Sequence, residues 1–157
     1  MNGHPGGEEH TCRMLALADL PAGASVLDMG AGGGEAVRLL QLMGYSAQGI
    51  DLLPRGDGVT LSDFLHTAYL GGHFDAVLSQ CAFFVSGDVP GALREAHRIL
   101  KPGGKLLLSD VFFENPELGF VNNWGLAKFA FVFIILPHVI GKNCDQLINV
   151  FVSGSTL

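Results

Sequence analysis

Apolar residues along the first 110 positions follow two alternating patterns. Three segments place them at the spacing of an amphipathic helix, whereas four short runs are almost continuously apolar. Such runs are typical of strands that are buried on both faces of a parallel sheet. The expected helices are residues 8–20, 35–42 and 88–100, and the expected strands are residues 25–29, 47–53, 74–78 and 105–110. This alternation predicts a doubly wound α/β fold with a mostly parallel sheet and helices on both faces.

Several residues mark where these elements begin and end. Asp88 is placed to cap the third helix, and the Lys101–Gly104 turn to end it. The first helix has an apolar stripe that we expect to face the core, formed by Met14, Leu15, Leu17, Ala18 and Leu20. No internal repeat or linker divides the chain, so residues 1–157 are expected to form a single domain whose first nine residues are flexible.

A glycine-rich segment joins the first predicted strand to the second predicted helix. It reads Asp28-Met29-Gly30-Ala31-Gly32-Gly33-Gly34-Glu35. Glycines let the backbone turn sharply and let a ligand approach where a side chain would collide. The carboxyl end of a strand is also where open α/β sheets bind ligands. We therefore interpret this segment as a ligand-binding loop.

The acids that flank this loop indicate the charge of its ligand. Glu35 occupies the position of the third glycine of the dinucleotide fingerprint, where a carboxylate would face a pyrophosphate unfavourably. Asp28 is a second acid at the loop. Two acids suit a ligand that is positively charged and lacks phosphate, such as S-adenosylmethionine with its sulfonium and ammonium groups. Asp51 follows 23 residues after Asp28, where its carboxylate could accept hydrogen bonds from ribose hydroxyls or serve as a solvated strand end.

Four segments in this order resemble the class I S-adenosylmethionine-dependent methyltransferases. They are residues 26–34, 49–51, 74–79 and 94–106. The last segment is typical of the subgroup that includes ubiquinone/menaquinone-biosynthesis and arsenite methyltransferases. The resemblance covers roughly residues 10–114 and implies a Rossmann-like fold, S-adenosylmethionine as cofactor and methyl transfer to a small-molecule acceptor.

The resemblance also implies cofactor-binding roles for ten positions. The glycines would line the methionine part of the cofactor on a loop that the first acid orients. The second acid would hold the ribose, the leucine would pack on adenine, and the Asp63–Phe64 pair would recognise the adenine edge. The last two residues would border the reacting methyl group. The positions are Asp28, Gly30, Gly32, Gly34, Asp51, Leu52, Asp63, Phe64, Ser79 and Gln80.

Two regions depart from the family pattern. Only 11 residues separate Asp51 from Asp63, fewer than a helical crossover normally needs, and proline and glycine disfavour a helix there. We expect the second crossover to be shortened, without its helix, and the strand near Val59–Leu61 to be absent or displaced.

The 47 residues after Asp110 lack the strand–turn–strand pattern of the family; residues 129–136 fit either a strand or a buried helix. Residues 115–157 are a divergent cap or a truncated end, which would expose a sheet edge and favour a homo-oligomer.

Charge and composition narrow the function classes. The net charge of −6 argues against nucleic acid as a partner. The three cysteines show no paired spacing and the chain has no signal-like segment, which predicts a cytoplasmic protein. No apolar run reaches about 20 residues, so no transmembrane segment is expected. No histidines pair at metal-ligand spacing, so no metal is expected. Cys81 is either a small buried side chain or an acceptor contact.

Three functions follow from these observations. The leading one is an S-adenosylmethionine-dependent methyltransferase, in which no residue is identifiable as a catalytic base. The alternative is a catalytically degenerate protein that binds S-adenosylmethionine or S-adenosylhomocysteine but lacks a complete acceptor site. A nicotinamide-dependent oxidoreductase is the third, and Glu35 argues against it.

Overall fold

The computed structural model of the chain describes residues 6–110 and 134–137. Its helices are α1 (Gly7–Ala18), α2 (Glu35–Leu42) and α3 (Val89–Ile99), with a short 3-10 helix at Phe84–Ser86. Its strands are β1 (Ser25–Met29), β2 (Ser46–Asp51), β3 (Val59–Leu61), β4 (Phe74–Gln80), β5 (Leu100–Ser109) and β6 (Ile134–Pro137). These elements follow the predicted alternation of strands and helices closely.

The strands form one sheet in the order β3-β2-β1-β4-β5-β6. The first five run parallel, and β6 pairs antiparallel with β5, with Leu106 opposite Leu136. The chain leaves β1 toward β2 and β3 on one side and resumes at β4 on the other. The predicted α/β fold with a mostly parallel sheet is thus confirmed, and its switch point lies at the carboxyl ends of β1 and β4.

Two apolar clusters cover the two faces of the sheet. One joins Met14 of α1 and Leu40 of α2 to residues of β1, β4 and β5. The other joins Leu93 and Ile99 of α3 to the opposite side chains of the same strands, including Leu27. Because successive side chains of a strand point to opposite faces, continuous apolar runs fill both clusters. The predicted helices on both faces are confirmed.

The apolar stripe of α1 differs from its predicted composition. The helix ends at Ala18, and Leu17 is 63% exposed because its position is turned away from the face that carries Met14 and Ala18. Polar side chains take its place: His10 and Thr11 are buried. The hydroxyl of Thr11 donates to Gln80 at 3.1 Å, so this helix face is bonded as well as packed to the sheet.

The connection between β2 and β3 corrects one prediction and confirms another. No helix forms in residues 52–58, as expected. Val59–Leu61 nevertheless forms β3 and pairs parallel with Gly49–Asp51, so the prediction that this strand is absent or displaced was wrong. The chain has to step back only from Asp51 to the level of Gly49, about 7 Å at the rise of a strand, which seven residues can span without a helix.

The connection between β3 and β4 is held against α3. Residues 62–73 form no helix, but the backbone amide and the hydroxyl of Thr67 both donate to the Glu95 carboxylate, at 2.9 and 2.6 Å. The Arg98 guanidinium, more than any other group, lowers the pKa of Glu95 to about 2. Side-chain bonds therefore fix a segment that lacks regular structure.

Strand β5 and its preceding helix carry the expected signals with one shift. The Asp88 carboxylate caps α3 by accepting from the Gly91 amide at 2.8 Å, as predicted. Strand β5 begins at Leu100 rather than at Lys105, because Leu100 pairs with Phe74 before the register shifts. Lys101–Gly104 therefore forms an irregularity inside the strand instead of a turn before it.

The apolar C-terminal run contains strand structure where it is described. Ile134–Pro137 forms β6, which decides between strand and helix for those residues. The remainder of residues 115–157, with the predicted cap and self-association surface, lies outside the described residues. Of residues 1–9, which the sequence predicts to be flexible, residues 1–5 also lie outside them, whereas residues 7–9 belong to α1. In the described part of the chain, no helix is long and apolar enough to cross a bilayer.

Candidate functional site

The glycine loop connects β1 to α2 at the switch point of the sheet. Gly30, Gly32 and Gly34 have positive φ angles of 88°, 51° and 75°, which side-chain-bearing residues rarely adopt. The amides of Gly30 and Ala31 donate to the carbonyl of Ile50 at 2.9 and 3.0 Å, which fixes the loop to the carboxyl end of β2. The shape of the loop is thus set by its glycines and by the neighbouring strand.

The glycines of the loop differ in how much space surrounds them. A Cβ on Gly30 would collide with the Ala82 side chain. A Cβ on Gly34 would lie 3.0 Å from the carbonyl oxygen of Asp57. A Cβ on Gly32 would meet only the Arg55 guanidinium, with Nη2 at 3.2 Å. Gly30 and Gly34 serve close packing, whereas the Cβ side of Gly32 has only the exposed Arg55 side chain near it.

Asp51 lies at the end of β2 and bonds directly to the loop. Its Oδ2 accepts a hydrogen bond from the Gly32 amide, and its Oδ1 accepts one from the Leu53 amide, each at 2.8 Å. A carboxylate oxygen can accept two hydrogen bonds, so each oxygen keeps one further acceptor position. The carboxylate therefore orders the loop and can still bind two hydroxyl groups.

Asp28 is a buried acid beneath the same loop. Its side chain is 4% exposed, and within residues 6–110 and 134–137 no donor forms a hydrogen bond with its carboxyl group. The pKa of Asp28 is raised from 3.8 to about 7. Burial is the largest cause, followed by the negative charges of Asp51 and Glu35. Three carboxyl groups therefore surround the loop, and one of them titrates near neutral pH.

The formation of β3 brings Asp63 and Phe64 toward Asp51, which Leu52 directly follows in the chain. The Ser62 amide donates to the Asp51 carbonyl at 3.1 Å, which places the segment after β3 beside the end of β2. The Asp63 carboxylate accepts from the Leu65 amide at 2.8 Å. Phe64 is buried with its ring 5.5 Å from that of Phe83, whereas Leu52 is 59% exposed. Of these three side chains, that of Leu52 presents the most free apolar surface.

Ser79 and Gln80 end β4 next to the loop and are buried. The Ser79 hydroxyl donates to the Met29 carbonyl at 3.0 Å, immediately before the first loop glycine. The Gln80 amide accepts from Thr11 and donates to the Met14 sulfur at 3.6 Å. These hydrogen bonds tie the floor of the loop to β4 and β4 to α1; no sequence pattern indicated them.

Cys81 directly follows β4 with a φ of 57°, an unusual backbone conformation for a residue with a side chain. It is half-buried, and burial, assisted by the charge of Asp110, raises the pKa of its thiol to about 11. The thiol is therefore protonated at neutral pH, which suits a small packed side chain better than a nucleophile.

Comparisons with known proteins agree with this architecture. Residues 10–142 match a family described as a methyltransferase domain. Arsenite methyltransferase of Aquipseudomonas alcaligenes is 32% identical over an alignment of 126 residues; the alignment covers 64% of this chain and 36% of that protein. Demethylmenaquinone methyltransferase of Tropheryma whipplei is 30% identical over 118 residues, which cover 68% of this chain and 47% of that protein.

A solved structure shares the fold. Phosphoethanolamine N-methyltransferase 2 of Haemonchus contortus, in complex with S-adenosyl-L-methionine, superimposes with a TM-score of 0.63 at 23% identity. The match covers 71% of this chain and 30% of that chain. The present chain spans less than half the length of both curated relatives. The family match nonetheless extends over most of its residues, and the chain belongs to the class I S-adenosylmethionine-dependent methyltransferases.

Proposed function

We propose that this chain binds S-adenosylmethionine on the glycine loop and transfers its methyl group to a small-molecule acceptor. The observation that carries the proposal is the contact between the loop and β2. There Asp51 accepts a hydrogen bond from the Gly32 amide and keeps acceptor positions for ribose hydroxyls. Gly32 itself lacks packed neighbours on its Cβ side apart from Arg55. This arrangement suits an adenosyl ligand laid across the loop.

The other proposed cofactor contacts follow from where each residue lies relative to the Asp51–Gly32 contact. Asp51 would hold the ribose, the exposed side chain of Leu52 would cover one adenine face, and the Asp63 carboxylate with the Phe64 amide would bind the adenine edge. Asp28 and the loop glycines would hold the methionine part. Ser79 and Gln80, both buried, would support the loop next to the reacting methyl group through their own hydrogen bonds.

The charge around the loop favours this ligand over a dinucleotide. Asp28, Glu35 and Asp51 are close enough for the last two to raise the pKa of the first. Such a site attracts the sulfonium and ammonium groups of the cofactor and repels a pyrophosphate. The same charges would make the site more selective for S-adenosylmethionine over its neutral thioether product.

The sulfonium supplies an activated methyl group, so the protein has mainly to align the acceptor with the S–CH₃ bond. The relatives are named for acceptors as different as arsenite and demethylmenaquinone. The proposal therefore specifies a small molecule and assigns no catalytic base.

Isothermal titration with S-adenosylmethionine and S-adenosylhomocysteine tests the cofactor half of the proposal. We expect saturable one-to-one binding of both compounds. The transfer half is tested by a separate assay, which measures the formation of S-adenosylhomocysteine from S-adenosylmethionine in the presence of an acceptor. Folded protein that binds neither compound at millimolar concentration would contradict the proposal. Binding without product on a broad acceptor panel would limit it to cofactor binding.

Substitutions of Asp51 test its assigned role. Asp51→Ala should weaken S-adenosylhomocysteine binding by about 1–3 kcal/mol, because bonds to the ribose and to the Gly32 amide are both lost. Asp51→Asn keeps one acceptor for that amide and should lose less. Titration calorimetry measures both variants, with thermal melting as a check on folding, and unchanged affinity in Asp51→Ala would exclude the ribose role.

A further inference from the structure

The shortened connection after β2 lies directly on the glycine loop. The Arg55 amide donates to the Gly32 carbonyl at 3.0 Å. The next residue, Gly56, is so close that a Cβ there would collide with the carbonyl oxygen of Gly33. These two contacts hold the backbone of the connection against the loop, and the Arg55 side chain extends over it, with Nη2 3.2 Å from the Cβ position of Gly32.

Arg55 is the basic side chain that remains available at this site. Arg38 also reaches the loop, but its guanidinium donates to the Gly33 carbonyl at 2.9 Å and lies 3.8 Å from the Glu35 carboxylate. Among residues 6–110 and 134–137, no hydrogen bond or ion pair engages the Arg55 guanidinium. It therefore stands exposed over the loop with its donors open to a ligand.

The proposed ligand needs such a group. The amino-acid part of S-adenosylmethionine carries a carboxylate next to its ammonium group. The three carboxyl groups of Asp28, Glu35 and Asp51 attract the ammonium but repel that carboxylate. A guanidinium binds a carboxylate through two parallel hydrogen bonds, which lysine cannot reproduce.

We propose that Arg55 is a specificity-determining residue that pairs with the carboxylate of the amino-acid part of the bound adenosyl compound. The residue selects adenosyl amino acids over adenosyl thioethers that lack this part. The inference rests on the proposed function, since it places its ligand on the same loop.

Titration calorimetry on the full chain tests the inference with two probes. S-adenosylhomocysteine carries the amino-acid part, and 5′-methylthioadenosine is the matched thioether without it. Arg55→Gln should weaken binding of the first roughly tenfold, the scale of one charge-assisted contact, and change binding of the second less than about twofold. Arg55→Lys should restore part of the loss. Arg94→Gln, an exposed arginine of α3, is the control and should change neither affinity.

The outcomes separate this inference from the proposed function. If wild-type protein binds neither probe, the proposed function fails. If wild-type protein binds both and Arg55→Gln weakens both equally, Arg55 only supports the loop and the inference is overturned. Unchanged or tighter binding of S-adenosylhomocysteine by Arg55→Gln overturns it as well, since the guanidinium would then be irrelevant or obstructive. Melting temperatures of all variants show whether the fold is retained.

Discussion

Asp28→Asn should stabilise the ligand-free protein above pH 7. The pKa of the buried Asp28 carboxyl is raised from 3.8 to about 7, so the folded state binds this proton more tightly than the unfolded state. The resulting stabilisation is fully present below about pH 4 and is lost as the pH rises to about 7. Above pH 7 the ionised carboxyl lowers the free energy of unfolding by roughly 4 kcal/mol, the energy that corresponds to this rise in pKa.

Asparagine removes this charge but adds a buried amide, which recovers only part of that free energy. We expect a net gain of about 1–3 kcal/mol at pH 8 and little or no gain at pH 4. Urea denaturation at the two pH values measures the difference. Asp19→Asn, at an exposed position after α1, is the matched control, because it makes the same chemical change away from the buried site. A pH-independent gain for Asp28→Asn would contradict the assigned titration.

The same variant should bind S-adenosylmethionine more weakly. The ionised Asp28 attracts the positive ligand, so affinity of the wild-type protein should rise as the pH increases through about 7 and then level off. Asp28→Asn should lack this rise. A destabilising charge kept beneath a loop is thus expected to improve ligand binding at the expense of the empty fold.

Gly56→Ala should have the second large effect, a loss of about 2–4 kcal/mol in the free energy of unfolding together with loss of cofactor binding. The new Cβ would collide with the Gly33 carbonyl oxygen, a backbone atom that cannot rotate away. The connection and the glycine loop would have to separate, and Gly32 would lose its bond to the Arg55 amide.

Gly44→Ala is a suitable control for this prediction. Gly44 has a φ of 89° and no heavy atom within 4 Å of its Cβ position, so alanine there adds backbone strain of about 1–2 kcal/mol and no collision. It should leave binding unchanged. Denaturation and titration of both variants give the comparison; wild-type stability in Gly56→Ala would show that the connection does not rest on the loop.

Much of the fold could be predicted from the sequence because its signals are local. Continuous apolar runs specified the strands, Asp88 specified the start of α3, and the glycines specified the loop. The expectation for β3 was wrong because it assumed a crossover that returns along a full strand. In the structure Val59–Leu61 pairs with only the last three residues of β2, and a short return suffices.

The contacts that shape the candidate site were less accessible to sequence reasoning. The approach of Arg55 to Gly32 depends on the path of a connection without regular structure. The bond from Ser79 to the Met29 carbonyl joins residues 50 positions apart and leaves no periodic trace. In the same way, the raised pKa of Asp28 follows from burial beneath a loop, which an acid at the end of a strand does not by itself indicate.

The bonds that hold α1 to the sheet bear on the order in which the molecule assembles during synthesis. His10 Nε2 lies 2.7 Å from the hydroxyl of Ser109, 99 residues later, and Thr11 donates to Gln80, 69 residues later. Because α1 precedes all the parallel strands in the chain, it can dock fully only after β5 has been synthesised, and its apolar face stays uncovered until then. Pulse-labelling hydrogen exchange during refolding should find the amides of β1 and β4 protected before those of α1.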